Sequence, residues 1–185
     1  MKSFLCFLSL CTLLLLAGAC HIADKEAKAI TNSFFDLKGY FQKEYTRLKN
    51  ASHITQKTIS LNGKSETKEL EGIDFSQELA AFASADINRI AWKDKYRIDS
   101  LKDNLGQLKA LHYTAIDKNM KTRRLYVSFQ KAKVDSIYIK KEVEGFAVHR
   151  NSDLIYLPDK GYRISIEQGV LGSEIQHIRI EGTYF

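Results

Sequence analysis

Residues 117–141 read DKNMKTRRLYVSFQKAKVDSIYIKK, and their pattern decides the fold. Leu125, Val127 and Phe129, then Ile137 and Ile139, stand at every second position with polar neighbours between them. That is the two-residue period of strands with one face buried. Gln130-Lys131-Ala132-Lys133 between the two runs leaves room only for a turn, so the pair must be antiparallel. The same alternation recurs in Leu111-Tyr113-Ala115 before this stretch and in Tyr162-Ile164-Ile166 after it. Turn residues separate the runs at Asp117-Lys118-Asn119, Glu144-Gly145, Asn151-Ser152-Asp153, Asp159-Lys160-Gly161 and Gly169 to Gly172, a spacing too short for the crossovers that parallel strands need.

Working back along the chain, Ile30, Phe34, Leu37, Phe41, Tyr45 and Leu48 fall at helical intervals, as do Phe75, Leu79, Phe82, Asp86 and Ile90. Four of the latter five are expected to face a core, with Asp74 as N-cap and Gln77 completing a capping box. Between these helices, Asn62-Gly63 is a strong hairpin signal because both residues tolerate the positive φ of a type I′ turn. The expected fold class is α+β: two helices packed on a twisted, largely antiparallel meander, with closure toward a half-open barrel left open by the spacing. A small membrane barrel is disfavoured, because counting back by twos from Phe185 through Thr183, Glu181, Arg179 and His177 puts charges on one face of the last strand. Phe185 is instead expected to plug the core.

The amino terminus carries a different signal. Met1-Lys2-Ser3 precedes a run from Phe4 to Ala17 that is apolar except for Ser9 and Thr12, and a run of this length is too short for the roughly 20 residues of a spanning helix. Small residues follow, then a cysteine: Ala17-Gly18-Ala19-Cys20. This arrangement resembles the lipobox of bacterial lipoproteins, with Ala17 where the family more often has Leu. The resemblance implies cleavage before Cys20 and acylation of that residue, and multiple acyl chains anchor a protein stably where one is marginal. Cys6 and Cys11 lie within the segment to be removed, so Cys20 would be the single remaining cysteine and no internal disulfide could form. The organisation read from the chain is residues 1–19 as signal peptide, 20–29 as a short tether and 30–185 as a single domain, which would hold the body close to its membrane. The chain's style, with its closing GYRISIEQGVLGSEIQHIRIEGTYF, is similar to uncharacterised envelope lipoproteins of Bacteroidota, implying an outer-membrane address facing the periplasm or the cell surface.

Loss of residues 1–19 removes one cation, leaving 27 basic and 22 acidic side chains and a net charge of +5. Residues 117–141 alone hold eight basic and two acidic residues, a net of +6. Basicity is therefore local. If the core residues of this hairpin face inward, Arg124, Tyr126, Tyr138 and Lys140 face outward, and Lys121, Arg123, Arg124, Lys131, Lys133, Lys140 and Lys141 become a candidate patch for anionic lipid, glycan or an acidic partner. The competing reading is that these cations only solvate an exposed sheet face.

Catalytic signatures are lacking: the chain has no HExxH, GxSxG, P-loop or dinucleotide fingerprint. His149-Arg150-Asn151-Ser152-Asp153 gathers a base, a hydroxyl and a carboxylate but reads as a turn. The sequence thus points to a non-enzymatic, lipid-anchored envelope protein whose β-rich domain binds a partner or an anionic ligand, with no cofactor, metal or nucleic acid expected. Two alternatives stay open: a periplasmic carrier of apolar cargo, similar in outline to the lipoprotein-localisation carriers, and a hydrolase with an unrecognised site.

Overall fold

The structure, a computed structural model, describes residues 34–51 and 54–185. The targeting segment, Cys20, the tether, Ile30 and His53 lie outside the described residues.

Helix α1 spans Leu37–Asn50. It starts two residues after Phe35, where Asp36 caps it by accepting from the Gly39 N–H at 2.9 Å. Strands β1 (Thr55–Leu61) and β2 (Lys64–Leu70) form the expected hairpin, with Asn62 at φ 49° and Gly63 at φ 85° in its turn. Two one-turn helices follow, α2 (Phe75–Glu78) and α3 (Ala80–Ala83), then a 3₁₀ turn at Ile90–Trp92. Seven more strands complete the chain: β3 (Tyr96–Lys102), β4 (Leu108–Ala115), β5 (Thr122–Gln130), β6 (Lys133–Glu144), β7 (Val148–Leu157), β8 (Gly161–Val170) and β9 (Gln176–Tyr184).

The nine strands of the described residues belong to one antiparallel sheet in the order β2-β1-β9-β8-β7-β6-β5-β4-β3. Strands β3 to β9 are a continuous meander, and the β1–β2 hairpin joins its end by pairing β1 with β9. The two edges, β2 and β3, do not pair, so the sheet stays open. The described residues are mostly β, with less helix than the α+β reading expected. At the β8–β9 contact the backbones come close: Gly161 has φ 135°, and a Cβ there would lie 1.9 Å from the Gly182 carbonyl oxygen.

One face of the sheet carries the core. Register lines up Tyr113, Leu125, Ile139, Leu154, Ile164, Ile180 and Ile59 across successive strands. Over this face α1 lays Leu37, Phe41 and Leu48, all fully buried. Phe41, Phe82 and Tyr156 meet at ring-centroid distances of 5.0 to 5.9 Å, and Phe75 meets Tyr184 at 5.6 Å. The space between helices and sheet is filled by these rings.

Several expectations are corrected. The second helix breaks after Ala83: Phe75, Leu79 and Phe82 are buried, but Ile90 is 62% exposed. A local network replaces the helix there, in which Asn88 accepts from the Phe34 N–H and donates to the Phe35 carbonyl, clamping the entry to α1. Asp74 does cap α2, accepting from Ser76 at 2.9 Å. The segment around Asn151-Ser152-Asp153 is the middle of β7, since Asp153 accepts from Tyr138 of the neighbouring strand and Asn151 bonds His149 along β7 itself, so these polar side chains do not need a turn. At the carboxyl end Phe185 is 70% exposed, and Tyr184, one position earlier in the alternation, fills the core site.

Candidate anion-binding site

The seven cations singled out in the sequence are dispersed by the fold. Arg124 and Lys140 are cross-strand partners on the face away from the helices, with Tyr126 and Tyr138 paired beside them. The β6–β7 register, however, sets Asp153 next to Lys140. Tyr138 donates to Asp153 at 2.5 Å, and burial, then this carboxylate, push the phenol up to about 12. Glu142 pairs with Arg123 at 3.4 Å and with Lys140 at 3.6 Å. Farther across the same face Arg97 pairs with Asp99 and Arg163 with Glu181. This outer face is balanced, not cationic.

Lys131 and Lys133 sit at the β5–β6 turn, at the far end of the sheet from Lys121 and Arg123. With Tyr40, Arg47, Asp159 and Lys160 they border a cleft of about 730 Å³. Its floor is already satisfied internally. Glu44, 7% exposed, accepts from Arg47 at 2.9 Å and from the Tyr156 hydroxyl at 2.5 Å, and Arg47 also donates to the Pro158 carbonyl and pairs with Asp159 at 3.3 Å.

The remaining cation behaves differently. Lys141 alternates with Ile137 and Ile139 and so points to the helix side of the sheet, where it is half-buried and its ammonium donates to Ser84 Oγ at 3.3 Å. Arg150 lies on the same face, because it alternates with Ser152, the cross-strand partner of Lys141, and with buried Leu154. Lys121 immediately precedes Thr122, which pairs with Lys141 on the other side. Burial, then Arg150, then Lys121 hold the Lys141 ammonium below its usual pKa. Among the described residues the ion pairs of this region use Arg123 and Lys140, and no carboxylate pairs with Lys121, Lys141 or Arg150.

Local sequence explains the opening beside this cluster. The chain from Phe75 to Ser84 crosses the sheet obliquely, from Tyr184 past Tyr162 to Lys141, and Thr122 donates to the Ala85 carbonyl at 3.1 Å. Beyond that line no described helix lies over this side of the sheet. There the register row containing Lys141 continues through Ser152, Ile166, Ile178 and Leu61. Leu61 is 49% exposed and Ile59, one row inward, 46%. Phe146 and Leu171, on the β6–β7 and β8–β9 turns at this same end, are 99% and 74% exposed.

Arg150 and Ser84 were not among the expected site residues. Arg150 was hidden by reading 149–153 as a turn; the alternation Arg150-Ser152-Leu154-Tyr156 is the signal that places it on the core face. His149, Asn151 and Asp153 project to the opposite face from Arg150 and Ser152, so the five residues do not converge on one point. No three His, Cys, Asp or Glu residues converge as a metal site among the described residues, and no described helix is long and apolar enough to cross a membrane. The sequence matches no family model and no curated protein sequence.

Proposed function

We propose that the chain is a non-enzymatic protein of the bacterial envelope, anchored through lipidated Cys20, whose domain binds an anionic ligand at the uncovered end of its helix-side face. The observation that carries this reading is Lys141: a half-buried ammonium beside two further cations, none of them paired with an acid among the described residues. Such an arrangement works against folding, and an anion bound from outside relieves it. The sign follows from the lowered pKa. The destabilisation is fully present at neutral pH and fades only as pH rises through the folded value toward 10.5. The aromatic filling between helices and sheet favours binding at the open end over cargo held in a half-barrel interior.

Two measurements test the two halves of the reading. Inorganic phosphate, compared with chloride at equal ionic strength, should raise the melting temperature of the full-length protein, and Lys141→Met should both stabilise the phosphate-free protein and remove that response. An equal phosphate response in wild type and variant would refute the site. For the anchor, Cys20→Ser should abolish acyl labelling; continued labelling would refute it.

A further inference from the structure

Resting on the anion-binding reading, we infer that the ligand is a monomeric phosphate-headed amphiphile, its phosphate held by Lys121, Lys141 and Arg150 and its acyl chain laid across Ile166, Ile178 and Leu61. The cations and the aliphatic side chains are not merely near one another. Lys141, Ser152, Ile166, Ile178 and Leu61 are successive cross-strand partners, so they form one row on one face of the sheet. Four strand spacings separate the ends of that row, about 19 Å, a length an extended fatty-acyl chain covers.

The row is the natural continuation of the core. Two residues inward along the strands, on the same face, Leu154 is 1% and Ile164 7% exposed beneath the helices, whereas Ile59 and Leu61, past the oblique helical segment, are nearly half exposed. Aliphatic side chains grouped in this way mark a surface built to be covered. Charge complementarity selects what covers it. An apolar peptide or a neutral lipid would leave three unpaired cations at one end of the groove, while a head group with several anionic oxygens satisfies two ammonium groups and a guanidinium together. A phosphate offers more such oxygens than a carboxylate. The exposed Phe146 and Leu171 on the adjoining turns extend the apolar character outward at the same end of the sheet.

The test uses the full-length protein and radiolabelled lysophosphatidic acid below its micellar concentration, with glycerol 3-phosphate as the head group alone and monoacylglycerol as the chain alone. Lysophosphatidic acid should bind at least tenfold more tightly than either, and affinity should rise along a series of increasing chain length. Lys141→Gln with Arg150→Gln should weaken it at least tenfold. Leu61→Thr with Ile178→Thr, which keeps strand-compatible side chains at exposed or half-exposed sites, should weaken the lysophospholipid and leave glycerol 3-phosphate binding unchanged. The chain-length series needs no variant, so it decides the matter even if the threonine pair folds poorly. Equal binding of lysophosphatidic acid and glycerol 3-phosphate, or affinity independent of chain length, would overturn the amphiphile while the anion site stands. Binding of neither, together with no stabilisation by phosphate, would overturn both.

Discussion

Raising the pH from 10 to 11 is expected to remove about 6 kcal/mol from the folding stability of the domain. Four core tyrosines drive it: Tyr96, Tyr156, Tyr162 and Tyr184 are each no more than 7% exposed. Burial pushes the Tyr96 hydroxyl up to about 12 and the other three higher still. For Tyr156 and Tyr162 a hydrogen bond to Glu44 or Glu78 adds to that shift, since the phenol must keep its proton to donate to a carboxylate. The folded pKa values lie above the unfolded one, near 10, so the stability they contribute is intact below pH 10 and is lost as pH climbs toward the folded values. One unit above pH 10, each such group costs about 1.4 kcal/mol, or about 6 kcal/mol for the four, against a total stability that for domains is typically about 5–15 kcal/mol. Circular dichroism and tyrosinate absorbance followed through the titration should therefore change together. Smooth ionisation near pH 10 with the sheet signal retained would show that these phenols are not held in the core.

The second large effect belongs to Glu44→Ala. Glu44 is the one acidic residue buried among the described residues, and it sits at the junction of α1 with the β7–β8 turn through Arg47, Tyr156 and, by way of Arg47, the Pro158 carbonyl. Removing it leaves the Arg47 guanidinium with only Asp159 and the Pro158 carbonyl, and leaves the Tyr156 hydroxyl, on a side chain with no exposure, without its Glu44 acceptor. Breaking a buried pair from one side costs about 3–5 kcal/mol. Arg47 keeps 39% exposure and can regain water, which places the expected loss near the lower figure, about 3 kcal/mol. Tyr156→Phe leaves the Glu44–Arg47 pair in place and should cost about 1–2 kcal/mol. Urea denaturation of both variants checks the order. A loss for Glu44→Ala no larger than that for Tyr156→Phe would mean that the pair does not hold α1 to the sheet.

The sheet was legible because alternation and turn chemistry agree along most of the carboxyl-terminal half. Leu125, Val127, Ile137 and Ile139 are all fully buried, and Asn62-Gly63 forms its hairpin. Legibility failed where side-chain partners override local preference. Asn151 and Asp153 are turn formers by composition, yet His149 and Tyr138 engage them within β7. Phe185 and Tyr184 were exchanged because the register of β9 is set by its neighbours β1 and β8, which no count along β9 alone reveals.

The candidate site was half legible for the same reason. Net charge within residues 117–141 counts the cations of the β5–β6 hairpin, but charge along a strand says nothing of the acids that adjacent strands bring alongside. Asp153 neutralises the outer face only because β7 pairs with β6 in one register. That same register carries Arg150 to the side of Lys141, so the pairing that dissolves the expected patch assembles the observed one. Ser84 could not be foreseen, since its place at Lys141 depends on where the helical segment ends above the sheet.

The most direct measurement is the pKa of the Lys141 amine, followed by NMR in the full-length protein with and without inorganic phosphate. Without phosphate it should titrate below the ordinary lysine value of 10.5, and saturating phosphate should raise it, because an anion that binds the charged cluster must by linkage favour its protonation. A Lys141 amine that titrates at the ordinary value, or one whose titration phosphate leaves unmoved, would contradict an anion site at this end of the sheet.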